Sequence, residues 1–82
     1  MSNVFLKLIE LIEYRDEYYK TLNFIPDWNT NIMYYTIYSV NNTIVLGAHQ
    51  REARILAFPT IEARNTFYNK YKYLIHLCLN LI

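Results

Sequence analysis

The sequence predicts a small α+β domain in the order α-β-β-β-α, with a three-stranded antiparallel meander packed against an N-terminal and a C-terminal helix. Three observations lead to this prediction. Apolar residues recur at helical spacing at both ends of the chain, a run rich in aromatic and β-branched residues occupies the middle, and an Asn-Asn pair follows that run. We expect all 82 residues to form a single domain, because a chain of this length has room for one small core.

The first helix is predicted to begin at a cap on Ser2 or Asn3 and to run to about Lys20. Its apolar positions recur with a period of about 3.6 residues. They include Val4, Phe5, Leu8, Ile12 and Tyr19. Glu13 and Glu17 share one side of this helix, but nothing nearby in the sequence would desolvate or orient them as a catalytic carboxylate pair. We therefore expect them to form a solvated face.

Residues 24–29 are predicted to be irregular, because Pro26 cannot continue a helix and restricts Ile25 to extended backbone. This segment holds Trp28, the only tryptophan. Two interpretations remain open for it. Trp28 either anchors the segment over the core, or it is a partly exposed anchor for a binding partner, since tryptophan is enriched among interface hot spots.

Strands are predicted at residues 33–40 and 43–48, joined by a two-residue turn at Asn41 and Asn42, because asparagine tolerates positive φ. This register places Val40 opposite Thr43. The predicted core face carries Met33, Tyr35, Ile37, Ile44, Leu46 and Ala48. The predicted water-facing side carries Tyr34, Thr36, Tyr38, Thr43 and Val45. A polar connection leads to a short third strand at residues 54–58.

Residues 58–82 are predicted to form one long C-terminal helix, with Thr60 as its cap and Glu62 in its first turn. Its end is apolar nearly all round, which predicts burial on more than one side. The apolar ends of the two helices, residues 4–6 and 74–82, either cover each other in a monomer or form a homodimer interface. We favour association, because small domains often gain stability by forming oligomers.

The composition gives little support for catalysis. The single glycine, Gly47, excludes a glycine-rich phosphate loop, and the single cysteine, Cys78, cannot form an internal disulfide. His49 and His76 are far apart in the sequence and have no ligand spacing around them. We expect no enzymatic activity, cofactor or metal. No segment predicts a signal peptide or a membrane span, so the expected location is the cytoplasm.

Two kinds of binding remain. The nine tyrosines favour a protein interaction module, because tyrosine provides a large rigid contact area. The alternative is binding of RNA or single-stranded nucleic acid by Tyr34 and Tyr38, with Arg51 and Arg54 beside them. A net charge of +1 gives no general attraction to nucleic acid, although residues 42–82 carry five Lys or Arg against two Asp or Glu.

Two stretches resemble a known group of sequences. Residues 24–28, Phe-Ile-Pro-Asp-Trp, follow a helix that contains Tyr-Arg-Asp at residues 14–16. Residues 54–60, Arg-Ile-Leu-Ala-Phe-Pro-Thr, open the last helix. Together they resemble small uncharacterised open reading frames of Bacteroides-like bacteria and their phages, over roughly residues 14–82. The last helix departs from the group: those relatives tend to be acidic there, whereas this chain has Lys70 and Lys72.

The resemblance implies an origin in a phage or mobile element, where small cofactor-free proteins often block a host defence system, including CRISPR effector nucleases. It implies an anti-CRISPR-like inhibitor or adaptor that binds a host protein or ribonucleoprotein. It supplies no catalytic residue to transfer. The residues expected to contact the partner are Trp28, Tyr34, Tyr38, Arg51, Arg54, Lys70 and Lys72.

Overall fold

The computed structural model describes residues 3–82 and has the predicted element order α-β-β-β-α. Its elements are α1 (Val4–Leu22), β1 (Tyr34–Val40), β2 (Thr43–His49), β3 (Leu56–Phe58) and α2 (Ile61–Leu77), followed by a 3-10 helix at Leu79–Leu81. The three strands form one antiparallel sheet, so the predicted α+β class is confirmed.

The limits of α1 follow from two asparagines. The Asn3 side chain accepts a hydrogen bond from the Phe5 N–H at 2.9 Å, which confirms Asn3 as the cap. The alternative cap, Ser2, lies outside the described residues. Asn23 adopts the left-handed conformation (φ 51°, ψ 50°) and its N–H bonds to the carbonyls of the last turn, so α1 ends at Leu22.

The hairpin has the predicted register. Val40 lies opposite Thr43, and Asn41 and Asn42 have φ of 51° and 60°, the values that a two-residue turn of this type requires. The third strand pairs with the first, which gives the strand order β2-β1-β3. In a meander that followed chain order β2 would be central, whereas here β1 is the central strand.

The predicted core face of the sheet is only partly correct. Helix α2 packs over β1 and β3, and the core consists of residues from these elements, from α1 and from the turn that follows α2. It includes Leu11, Ile37, Leu56, Phe58, Phe67, Ile75 and Cys78. Met33 and Leu46 were predicted to be buried but are 46% and 41% exposed, and Ala48 is exposed as well. Met33 precedes β1, and Leu46 and Ala48 lie on β2, away from the strands that α2 covers.

The C-terminal helix has its predicted cap at Thr60, but it does not extend to residue 82 as predicted. Phe58 belongs to β3, and α2 begins after Thr60, whose side chain accepts a hydrogen bond from the Ala63 N–H at 3.0 Å. Helix α2 is kinked at Tyr71 (φ −114°, ψ 22°) and ends at Leu77. The ring of Tyr71 stacks on Tyr14 of α1 at 4.7 Å between centroids. The apolar pattern near the C-terminus predicted burial correctly for Ile75 and Cys78 but could not distinguish an α-helix from a 3-10 turn.

The two helices run antiparallel, since Tyr14 meets Tyr71 and Tyr18 meets Phe67. The apolar N-terminal end of α1 and the apolar C-terminal end of α2 therefore lie at the same end of the molecule. Large apolar side chains remain exposed there: Phe5, Leu6, Ile9 and Leu77.

Helix α1 also covers the outer edge of β3. The Tyr19 hydroxyl donates to the Ala57 carbonyl and accepts from the Ala57 N–H at 3.3 Å. Arg15 Nη1 donates to the Ile55 carbonyl at 2.9 Å. These bonds satisfy backbone groups that an edge strand would otherwise present to solvent or to another strand.

Candidate partner-binding groove

A concave groove of about 690 Å³ lies between the C-terminal end of α1, the irregular segment that follows it, and the residues that lead into β3. We call it the Trp28 groove. Its lining residues are Arg15, Asp16, Tyr19, Lys20, Asn23, Phe24, Ile25, Pro26, Trp28, Arg54 and Ile55. The groove thus combines aromatic, aliphatic and cationic side chains from three parts of the chain.

The aromatic wall of the groove is held in place by Tyr34. The Tyr34 hydroxyl accepts a hydrogen bond from the Asp27 N–H at 2.8 Å. The Trp28 and Phe24 rings pack edge-on against the Tyr34 ring, with centroids 4.8 and 5.5 Å away. Trp28 is partly buried and still lines the groove, so it anchors the segment and also offers a contact surface.

Three cations line the groove, and two of them, Arg15 and Lys20, differ in how many of their donor groups are already bonded. Arg15 donates from Nε and Nη2 to Asp16 Oδ1 and from Nη1 to the Ile55 carbonyl, so most of its donors are already used. Lys20 has no carboxylate within 4 Å among residues 3–82. The Lys20 ammonium group therefore leaves the groove with a positive charge that no neighbouring side chain neutralises.

Arg54 is the third cation and links the groove to the sheet. Its guanidinium carbon lies 5.0 Å from the centre of the Tyr38 ring, and Nη2 contacts Glu52 Oε1 at 2.5 Å. The Arg54 Nε is buried and has no hydrogen-bond partner in the described part of the chain. A buried donor without a partner is destabilising by about 1–3 kcal/mol.

Ile25 projects from the rim of the groove. It is 87% exposed, the largest exposed fraction among the large apolar side chains of the described residues. Pro26 restricts the backbone of Ile25 to an extended conformation, so the side chain is presented on a segment of limited flexibility. Ile25 thus adds apolar contact area to the rim of the groove.

The structure places only two of the predicted contact residues, Trp28 and Arg54, on the groove. Tyr34 is 4% exposed and lies behind the aromatic wall, so the prediction that it forms an open stacking surface is corrected. Tyr38 is partly buried between Arg54 and His49, whose ring centre is 4.8 Å away. The tyrosine face is closed because the Trp28 segment and the Arg54 side chain pack on it.

The other predicted residues lie elsewhere. Arg51 has φ of 60° and donates from Nε to Asn31 Oδ1 in an exposed loop. Lys70 and Lys72 lie on α2, with their ammonium groups 5.5 and 5.4 Å from the rings of Tyr71 and Tyr68. Lys70 lines a second pocket of about 210 Å³ between the helices. The seven predicted residues therefore do not form one surface.

Sequence reasoning missed Lys20, Ile25 and the structural role of Tyr19. In the sequence, Lys20 is a cation near a helix C-terminus, where cations are common. Nothing distinguishes Ile25 except its position before Pro26. The groove depends on contacts such as Arg15 with Ile55, which are 40 positions apart in the chain. The Pro-Asp-Trp segment was the one local signal that pointed to this region.

The pKa values of the Tyr19 hydroxyl and the Cys78 thiol are raised. Burial raises the pKa of the Tyr19 hydroxyl, while its bond to the Ala57 backbone and the nearby Arg15 charge act in the opposite direction. Burial also raises the pKa of the Cys78 thiol, which is a free cysteine in the core. A raised pKa makes a thiol less reactive, so Cys78 behaves as a small core residue.

Within residues 3–82, no three His, Cys, Asp or Glu side chains are arranged so that they could hold a metal ion. Neither helix of the described chain has the length and apolarity needed to cross a membrane. Comparison with known proteins returned no matching family model, no matching curated protein and no matching solved structure.

Proposed function

We propose that this protein is a small non-enzymatic interaction protein that binds a host protein or ribonucleoprotein through the Trp28 groove. The observation that carries the proposal is the combination of the partly buried Trp28, the protruding Ile25 and the unneutralised Lys20 on one concave surface. Anchors of this kind, an aromatic ring with an apolar neighbour and a charged rim, dominate the energetics of protein interfaces.

We further propose that this binding inhibits the partner. The resemblance to small open reading frames of Bacteroides-like bacteria and their phages supports action against a host defence system, in the manner of anti-CRISPR proteins. Such an inhibitor acts by occupying a surface of its target, which requires a rigid contact face and no catalytic group. The aromatic packing behind the Trp28 groove is suited to this role, because a preorganised surface loses less entropy on binding.

The second candidate function is binding of RNA or single-stranded nucleic acid. The observation in its favour is that Lys20, Arg54 and Trp28 line the same groove, since cations beside an aromatic ring suit a base and its phosphate. The burial of Tyr34 and the coverage of Tyr38 remove the stacking surface on which this function was first predicted. Direct nucleic-acid contact is therefore the weaker of the two proposals.

The test is affinity capture from a lysate of a Bacteroides-like host, with and without nuclease. The groove variant carries Lys20→Glu and Ile25→Asp. A matched control carries Lys72→Glu and Ile61→Asp, which change the same residue types at exposed positions that do not line the groove. We expect the wild type and the control to retain one protein after nuclease treatment, and the groove variant to lose it.

Two results would contradict the proposal. Equal capture by the groove variant and the wild type would exclude the Trp28 groove as the binding surface. Recovery only of RNA, with binding that weakens steeply between low and moderate salt, would favour the nucleic-acid function, since phosphate contacts are strongly salt-dependent.

A further inference from the structure

We propose that the outer edge of β2 is a self-association surface, where a second copy of the chain adds its own β2 in antiparallel orientation. The two sheets would then form one six-stranded sheet around a two-fold axis. The proposal is independent of the Trp28 groove. It rests on the direction of the backbone groups, on the sequence of the strand, and on the apolar residues beside it.

The direction of the backbone groups follows from Ala57. Its N–H and C=O both bond to Tyr19, so they point away from β1. Ala57 lies opposite Thr36, whose own groups must then point toward β2 and Gly47. Because the direction alternates along a strand, the N–H and C=O groups of Leu46 point outward, as do those two residues away on each side, at Ile44 and Ala48.

The two edge strands of the sheet differ in whether their outward backbone groups are covered. The β3 edge is three residues long and is covered by Tyr19 and Arg15 of α1. The β2 edge is seven residues long, and among residues 3–82 no other segment bonds to its outward backbone groups. It contains no Lys, Arg, Asp, Glu or Pro, the residues by which exposed edges usually prevent pairing.

Two exposed apolar side chains, Leu46 and Ala48, lie beside this edge, and we call them the apolar ledge. Leu46 and Ala48 are exposed on the side of the sheet that faces the helices, because α2 packs over β1 and β3. A second copy at this edge would cover each Leu46 with its counterpart and remove apolar surface that a monomer leaves in water.

The strand is complementary to itself. With the two-fold axis at Leu46, Leu46 pairs with Leu46 of the partner subunit, and Ile44 pairs with Ala48 of the partner subunit. All three outward-facing residues then lie at hydrogen-bonded positions in both copies. The strand has no Lys, Arg, Asp or Glu side chain to oppose its counterpart in this register, and Arg64 of α2 donates to the Gly47 carbonyl, which points toward β1. An isologous contact of this kind closes at two copies.

The test is disulfide trapping with Leu46→Cys. In the proposed register the two Cys side chains lie directly opposite, with Cα atoms about 5.5 Å apart, which is within the range of a disulfide. Ala48→Cys is the matched control, because residue 48 faces Ile44 of the partner subunit. The native Cys78 is buried and fully inaccessible, so it does not compete. We expect Leu46→Cys to form a covalent dimer under mild oxidation and Ala48→Cys to remain largely monomeric.

Sedimentation gives a second, independent readout. The wild type should sediment at twice the 9.9 kDa chain mass, and Leu46→Lys at the chain mass, because a lysine at the centre of the edge opposes its own copy. A monomeric wild type would overturn the proposal. A dimer that persists in Leu46→Lys but is lost in Phe5→Asp would also overturn it and would assign association to the apolar helix ends.

Discussion

Tyr19 connects the first helix to the sheet through a single hydroxyl group. That group bonds to both backbone groups of Ala57, and the ring packs edge-on against Phe24 and Phe58 at 5.1 and 5.8 Å. The same side chain therefore fixes the position of α1, covers the β3 edge and supports the aromatic wall of the Trp28 groove.

Replacement of Tyr19 by Phe tests this role. The variant keeps the ring but leaves the Ala57 N–H and C=O without a partner, so we expect the free energy of unfolding to fall by about 1–2 kcal/mol. For a domain of this size the melting temperature should fall by about 4–16 °C. The measurement is thermal and urea unfolding. Tyr73→Phe, at an exposed position, is the control and should leave stability unchanged.

Tyr19 also predicts a dependence of stability on pH. Burial raises its pKa above the ordinary value of 10.0, so the folded chain holds the Tyr19 proton at a pH where the unfolded chain has released it. The free energy of unfolding should therefore fall as the pH rises above about 10. In Tyr19→Phe this fall should be shallower. Equal slopes for the variant and the wild type in urea titrations above pH 10 would exclude the effect.

Gly47 is required by a close approach rather than by its backbone angles. A Cβ at this position would lie 2.7 Å from Cε1 of Tyr38, whose ring also contacts Arg54 and His49. We expect Gly47→Ala to destabilise the fold by about 1–3 kcal/mol, because the Tyr38 ring must move. In a Tyr38→Ala background the same change should cost less than about 0.5 kcal/mol. A double-mutant cycle measures this coupling, and additive effects would contradict it.

At the scale of elements, the caps that the sequence indicated determine where the helices begin. Thr60 bonds to the Ala63 N–H, so we expect Thr60→Ala to reduce the free energy of unfolding by about 1 kcal/mol. Thr66, which is exposed within α2, is the matched control, since alanine there should be neutral or slightly stabilising. Urea unfolding compares the two variants. An equal loss in both would indicate that Thr60 does not act as a cap.

Local sequence patterns were sufficient to predict α1 and the hairpin of β1 and β2. The cap at Asn3, the turn at Asn41 and Asn42, and the strand register all follow from residues that are adjacent or nearly adjacent in the chain. The position of β3 was not predictable in this way. It pairs with β1 rather than β2, and its outer edge is bonded by Tyr19 of α1, a residue 38 positions away in the chain.

The burial of side chains on β1 and β2 depends on which strands α2 covers. Alternation along β1 and β2 predicted one buried and one wet face, which is correct only when a layer covers the whole sheet. Helix α2 packs over β1 and β3, so Leu46 is exposed although it lies on the predicted core face. On the opposite face, Tyr34 is buried because the segment around Trp28 folds back on it. Neither effect has a signature within the strands themselves.

At the scale of the whole molecule, the two proposals concern two separate surfaces. The Trp28 groove carries an unneutralised Lys20 and a protruding Ile25, and the β2 edge carries outward backbone groups beside an apolar ledge. They are built from different parts of the chain, since the groove is formed by α1, the Trp28 segment and the residues that lead into β3. We therefore expect self-association and partner binding to be separable, with Leu46→Lys abolishing the first and retaining the second.

The most direct test of the proposed function uses the fact that Trp28 is the only tryptophan. Incorporation of 5-fluorotryptophan gives a single ¹⁹F resonance at the groove. We predict that adding the nuclease-treated captured partner shifts or broadens this resonance, and that the Lys20→Glu and Ile25→Asp variant shows no change at the same concentrations. An unchanged Trp28 resonance in a sample where the wild-type chain is demonstrably bound would contradict the assignment of the Trp28 groove as the partner-binding surface.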